Sequence, residues 1–453
     1  MQKQEKWSAL REVVEREMTK HEVPGISWGI YQDGEVWVDG VGVTNIEHPL
    51  AVNADTLFQV GSITKTFVTL VVMQLVDEGL LALDAPVQRY LPEFKVVDGG
   101  VSAKVTLWHL LTHSSGFQGD FFYDTGSGAD AMPLYMQAVE QLGQGAPLGE
   151  VFSYNNTGFY LCGAIIERVT GKAFEQVLQE RIFNPLRMEH TYFDAGDVIT
   201  HRFAVGHEKS SAGMIVARPW PLPRAAWPAG GIVTDVKDLL KYAQMQLRGG
   251  TSEDGTALLK PETFKQMHSP QFSIWKAEQQ MGLAWFIDDH DGVEVHHHGG
   301  GTLGQVTLLS LVPERDFALV VFTNADPGGH VTRAVSKWIL NAYLGIEIPT
   351  PKPQKAQAED LKQFAGFYTR PFADFEVGLL NGCLVGQLVY RAGFPAQDSP
   401  APPPPPPASL DLCAEDRLLV LDGPMKDAVI DVLRADDGAV KYLRIGLRVY
   451  KRK

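Results

Sequence analysis

The sequence predicts an α+β fold: an α/β sandwich with an antiparallel sheet and a helical subdomain, followed by a small all-β domain at the carboxy terminus. Three observations lead there. Strand signals over 26–43 give way to helical and mixed segments over about 62–190 and return near 281–287 and 305–323, so distant stretches of chain complete one sheet. The stretch 349–360 mixes proline with charged and small residues, has no apolar period, and reads as a linker. Beyond it, Asn381-Gly382, Asp422-Gly423 and Asp437-Gly438 separate runs rich in Val, Leu and Tyr, which are hairpin signals of a small barrel or sandwich.

The elements follow in order. Trp7, Leu10, Val13, Val14 and Met18 recur at helical spacing and stop before Val23-Pro24-Gly25, giving an opening amphipathic helix. Ile26 to Tyr31 and Val36 to Val43 flank Asp33-Gly34, a dipeptide suited to the positive φ angles of a two-residue hairpin. Gly61-Ser62-Ile63-Thr64-Lys65 opens an apolar helix that can end at Gly79. Thr170-Gly171-Lys172 reads as a helix end, because the glycine that a phosphate loop needs five residues earlier is Ile166. A last helix runs from about Val331 to Tyr343. The division is therefore 1–348 for the larger α/β unit, 349–360 for the linker and 361–453 for the β domain. Six prolines, Pro402 to Pro407, read as a surface loop between two strands in preference to an SH3-type ligand.

Composition bounds the function. With 453 residues, 45% hydrophobic and 21% charged, the chain has ample core and is not disordered. A net charge of −14 gives no basic footprint for nucleic acid. Cys162, Cys383 and Cys413 are too few and too scattered for a disulfide framework or a four-ligand zinc site, and are read as reduced, buried thiols. The first residues lack an apolar segment after their basic positions, and no apolar run is long enough to span a bilayer. The expectation is a soluble, cytoplasmic protein without a membrane partner.

Chemistry concentrates in three places. Lys65 follows Ser62 by three residues, so its ammonium rises on the same face of the helix within reach of the hydroxyl. A serine needs a base to become a nucleophile, and a desolvated lysine can serve as one. Tyr154 and Asn156, two apart before the helical stretch FYLCGAIIERVTG, can point the same way from an extended or turn segment. His296-His297-His298-Gly299-Gly300-Gly301 leads into an apolar strand, and its glycines can expose main-chain N–H groups to a substrate.

Alternative readings weigh less. On a strand, His296 and His298 face one way and His297 the other, so no zinc site is expected. His109 and His113 have the spacing of zinc ligands on a helix, but Leu110 stands where that motif needs Glu, and a packing and hydrogen-bonding role is expected. No Gly-x-Ser-x-Gly elbow occurs. Two aromatic stretches, Phe121-Phe122-Tyr123 and Arg218 to Pro228, could form lips over a site or merely stiffen loops.

Taken in order, Ser62-x-x-Lys65, Tyr154-x-Asn156 and His298-x-Gly300 resemble the serine β-lactamase and penicillin-binding-protein superfamily, in particular its class C β-lactamase-related esterase and D-aminopeptidase branch. VTLWHLLTHSSGF at 105–117 and WPAGGIVTDVKDLLKYA at 227–243 are similar to the same family. The resemblance implies a β-lactamase-like catalytic domain, with the β domain barrel-shaped or lipocalin-like, and a covalent serine ester without a cofactor. Ser62 would be the nucleophile, with Lys65 and Tyr154 sharing the base and proton-shuttle work. Asn156, His298 and Gly300 would position substrate, and the N–H groups of Ser62 and Gly301 would form the oxyanion hole.

His298 stands where the β-lactamases carry a lysine for the substrate carboxylate, and it should be neutral near pH 7. Together with the acidic net charge, this favours small esters, then D-amino-acid amides or short peptides, including D-Ala-D-Ala carboxypeptidase action with weak β-lactamase activity. A non-catalytic penicillin-binding-protein-like ligand binder is the alternative outside enzymes. The β domain is expected to cover or border the active site. Oligomeric state does not follow from the residues.

Overall fold

The computed structural model describes residues 3–453. An eight-stranded antiparallel sheet forms the backbone of the larger unit. From one edge, the strands are Glu35–Gly42, Gly25–Gln32, Phe317–Thr323, Gln305–Val312, Val293–Thr302, Phe286–His290, Gln279–Met281 and Phe272–Trp275. The amino-terminal hairpin turns through Asp33 (φ 53°) and Gly34 (φ 81°), as its sequence requires.

Period-two patterning gives each face of the sheet its own core. On one face, Trp28 and Val321 pack with Leu10 and Val14 of the first helix, Lys3–Lys20, and with Val335 and Ile339 of the helix Gly328–Leu344. On the other, Val320 and Phe322 join Leu239 and Leu240 of the helix Val236–Leu247 and the helical region beyond it. The centre of that region is the helix Thr64–Asp77. It is buried on all sides, as its unbroken apolar run demands, and the chain leaves it at Gly79 with φ 72°.

The carboxy-terminal unit is a closed eight-stranded barrel running from Gly366 to Arg452. Its antiparallel meander turns at Asn381-Gly382 and Asp437-Gly438, with Asp422-Gly423 in a longer loop. The last turn, Gly446-Leu447, carries no Asn-Gly or Asp-Gly signal, yet both residues are left-handed, with φ 54° and 69°. Prolines 402–407 lie in the loop between the strands Cys383–Tyr390 and Ala408–Ala414.

Two expectations are corrected. The linker does not run free to residue 360: a short helix begins at Ala358, and Gln354, Lys355 and Ala356 are already tied to the barrel through Leu412 and Asp411. Of the three free cysteines only Cys162 is buried; Cys383 starts a barrel strand on its exposed side and Cys413 is half-buried. The packing and hydrogen-bonding role expected of His109 and His113 is present: His113, beyond the helix Leu107–Leu111 at φ 57°, stacks on Tyr154 and accepts from the Asn155 N–H. His109 is the third residue of a capping box with Thr106. Among the described residues, no helix is long and apolar enough to cross a membrane.

Candidate active site

Ser62 sits in a single 3-10 turn, Gly61–Ile63, that leads into the buried helix. This turn is wedged against the strand Val293–Thr302. A side chain on Gly61 (φ 54°) would meet the Gly301 nitrogen at 2.6 Å, and one on Gly300 would meet the Val60 carbonyl oxygen at 1.8 Å. Only glycines permit this approach, which brings the Gly301 backbone beside the serine turn.

Lys65 is fully buried. Its Nζ lies 3.0 Å from Ser62 Oγ, 2.8 Å from Asn156 Oδ1 and 2.6 Å from the Ala229 carbonyl oxygen. Burial, with Arg448 close by, holds its pKa well below the ordinary lysine value, against a smaller opposing pull from Asp120. The neutral amine is thus reached at a smaller cost than in an exposed lysine.

Tyr154 and Asn156 flank the cap of the helix Asn156–Thr170. Asn155 accepts from the Gly158 N–H at 2.8 Å, and its amide donates to Ser115 Oγ at 3.0 Å and to the Phe117 carbonyl at 3.1 Å. Fixing Asn155 inward turns its two neighbours toward the serine. The Tyr154 ring stacks on His113 at 4.3 Å, and its hydroxyl is buried without a completed hydrogen bond. Burial pushes the phenol well above its usual pKa, so Tyr154 is held protonated. The Asn155 N–H donates to His113 Nδ1 at 3.0 Å, which leaves the proton of that buried, neutral ring on Nε2.

His298 is also buried and neutral, its pKa pushed down to about 3 by burial and by Lys65. Its Nδ1 donates to the Gly299 carbonyl at 2.6 Å, so Nε2 is a bare acceptor without a partner. The adjacent histidines are spent elsewhere: His296 pairs with His268 and Glu294, and His297 with Asp288. They do not converge on a common point. Among the described residues, the one cluster with three converging metal-type ligands is Asp55, His190 and Asp235, where Asp55 is engaged by Lys237 and His190 by Asp235.

The sequence-based reading missed a second set of residues. Asp120, three residues past Phe117, is buried and binds the Asn156 amide nitrogen at 2.9 Å. Two barrel arginines clamp it, Arg370 at 2.7 Å and Arg448 through two contacts of 3.1 Å. These partners hold its carboxyl far below the usual carboxylate range, overcoming burial. Arg448 also lies 4.7 Å from the Tyr154 ring centre, and the turn at Leu447 accepts the Tyr154 N–H at 2.8 Å. Beside the serine, Arg370 and Arg448 face the single carboxylate of Asp120, so the charge at this point runs against the acidic net charge of the chain. The only sequence signal was the arginine density of the last strand, RIGLRVYKRK, which does not say where the strand docks.

A cleft opens onto these groups and, with its continuation past the strand Val293–Thr302 to Thr332 and Ser336 of the helix Gly328–Leu344, has a volume of about 950 Å³. The barrel borders it through Phe372, Tyr390, Phe394 and Arg448, facing Phe122 and Leu222 of the two predicted lips. Phe122 meets Phe394 edge-on at 4.8 Å. Trp227 instead stacks on Phe193 at 5.5 Å and is core.

Comparison with known proteins agrees with this architecture. A family model described as Beta-lactamase matches residues 10–343. Penicillin-binding protein 4 of Amycolatopsis lactamdurans is 32% identical over 379 residues, covering 81% of this chain and 97% of that protein. The octameric penicillin-binding protein homologue from Pyrococcus abyssi superposes with a TM-score of 0.67 at 25% identity, covering 98% of this chain and 99% of the other. A class C beta lactamase from Rhodobacter sphaeroides superposes with a TM-score of 0.60 at 22% identity, covering 73% of this chain and 99% of the other.

Proposed function

The chain belongs to the beta-lactamase family, and from that premise we propose that it is a serine hydrolase that cleaves small carboxylic esters through a covalent acyl-enzyme on Ser62. The observation that carries this reading is the 3.0 Å contact between Ser62 Oγ and a desolvated Lys65 amine. The amine's two other contacts, Asn156 Oδ1 and the Ala229 carbonyl, can only accept. In the neutral amine they take both N–H bonds, which leaves the lone pair for the serine proton.

In the first half-reaction the serine oxygen bonds to the ester carbonyl while its proton passes to Lys65. The tetrahedral oxyanion lies against the N–H groups of Ser62 and Gly301, where removing one such donor typically costs about 100- to 1,000-fold in rate. Collapse breaks the bond to the leaving alkoxide, which takes a proton from the Lys65–Tyr154 pair and departs as the alcohol. Water then attacks the acyl-serine and gives its proton to the same pair, the bond between the acyl carbon and Ser62 Oγ breaks, the pair returns the proton to the serine oxygen, and the carboxylic acid is released. Tyr154, held protonated, fits the donor role and Lys65 the acceptor role. The barrel's Phe372, Tyr390 and Phe394 give the cleft an apolar wall suited to an apolar acyl or alcohol group.

A second reading is the same acyl transfer on amides or peptides ending in D-amino acids; the Amycolatopsis relative is named for penicillin binding, which fits penicillin as a slow acylating ligand of such a site. A panel of short-chain p-nitrophenyl esters, D- and L-aminoacyl amides and a chromogenic cephalosporin separates the two. The ester reading expects the highest kcat/KM on esters. A D-aminoacyl amide turned over faster than every ester would replace it.

A further inference from the structure

Asp120 lies outside the three motifs, yet it is joined to the base by one side chain. The Asn156 amide has two chemically different ends: Oδ1 faces Lys65 at 2.8 Å and Nδ2 faces Asp120 Oδ1 at 2.9 Å. Reversed, the amide would set its oxygen against a carboxylate, two acceptors without a proton between them, and its NH2 against the lysine lone pair, which it would occupy. An ionised carboxylate has no proton to donate, so it admits only one orientation of the amide. Asp120 stays ionised because four donors fill its oxygens: Asn156 Nδ2 and Arg448 Nη2 on one, Arg448 Nε and Arg370 Nη1 on the other.

Resting on the acyl-serine reading above, we propose that Asp120, clamped by Arg370 and Arg448 of the barrel, is a positioning residue that locks the Asn156 amide and so keeps the Lys65 lone pair aimed at Ser62. The carboxy-terminal barrel is then part of the catalytic apparatus as well as a wall of the cleft. Without the lock, Asn156 can turn and donate to the amine, occupying the lone pair that must receive the serine proton. The charged and titratable groups facing Lys65 are Arg448, Asp120, Tyr154, His113 and His298. The last three are uncharged at neutral pH in this setting, which leaves Arg448 and Asp120 to bias the amine in opposite directions.

The test uses the full-length protein, p-nitrophenyl acetate, and pH profiles of the acylation rate for Asp120→Asn, Arg448→Met and Arg448→Lys. Thermal unfolding serves to confirm the fold of each variant. Asp120→Asn lets the Asn156 amide turn and leaves two arginines unpaired. Its plateau rate should fall about 100-fold, the low end of what a general base contributes, and its acid limb should move to lower pH. Arg448→Met removes the charge that disfavours protonated Lys65, so its acid limb should move to higher pH, and Arg448→Lys should return it toward wild type.

A merely structural role would not move the two limbs in opposite directions. A folded Asp120→Asn protein with wild-type plateau and limb, or limbs that move together, overturns the proposal. If Asp120→Asn does not fold, an unmoved limb in Arg448→Met overturns it. Ser62→Ala separates the levels: if it acylates like wild type, the acyl-serine reading fails and the relay with it. If Ser62 is required while the Asp120 and Arg448 variants are silent, the relay alone fails.

Discussion

Replacing Asn155, which touches no substrate, tests how the fold builds its site. Its Oδ1 caps the helix Asn156–Thr170, and its Nδ2 satisfies Ser115 Oγ and the Phe117 carbonyl in a fully buried setting. Asn155→Ala loses a cap, about 1 kcal/mol, and leaves two buried acceptors short of a donor, about 1–3 kcal/mol each. Because these groups share one neighbourhood the terms do not simply add, and the expected loss is about 3–5 kcal/mol. Asn155→Ser keeps a capping oxygen and should recover about 1 kcal/mol of it. Urea unfolding monitored by tryptophan fluorescence reads both. Turnover should fall as well, because Tyr154 and Asn156 are aimed by the residue between them. Stability of Asn155→Ala within about 0.5 kcal/mol of wild type, the range of an ordinary surface change, would refute this account of the junction.

The acid limb of kcat/KM should lie well below the ordinary lysine pKa of about 10.4, because Lys65 must be neutral to act and its pKa is lowered in the fold. Activity is lost as pH falls through that limb, and a limb near the ordinary lysine value would contradict it. Asp120, depressed in the folded state, contributes stability above its unfolded pKa of about 3.9. That contribution fades as pH falls from there toward the lower folded value, so thermal stability measured from pH 5 to 2 should fall less steeply in Asp120→Asn than in wild type. A thiol reagent should modify Cys383 in the native protein and Cys162 only after unfolding, since Cys162 is buried with its pKa raised; peptide mapping of the labelled sites decides this.

What could be read from the residues depended on how local the cause was. The serine-lysine spacing, the Asp33-Gly34 turn, the buried helix ending at Gly79 and the Asn381-Gly382 hairpin each rest on short-range geometry, and each stands where the spacing puts it. Gly300 could be identified as a close-approach glycine, while its partner across the gap, the serine turn, came from the family resemblance. The Asp120–Arg448 pairing was beyond reach because 328 residues separate the partners and no periodicity links them. The same holds for the Gly446-Leu447 turn, where left-handed leucine replaces the usual signal residues. Net charge misdescribed the site for a related reason: it averages the surface, whereas the cleft gathers Arg370 and Arg448 from the first and last strands of the barrel.

The central claim is a covalent acyl group on Ser62, and the measurement that meets it most directly is intact-protein mass after brief exposure to a fluorophosphonate. The account predicts one stoichiometric adduct, mapped to the peptide containing Ser62 and absent from Ser62→Ala, with labelling of Lys65→Ala slowed by orders of magnitude. An adduct that persists in Ser62→Ala, or a Lys65→Ala protein that labels at the wild-type rate, would contradict it.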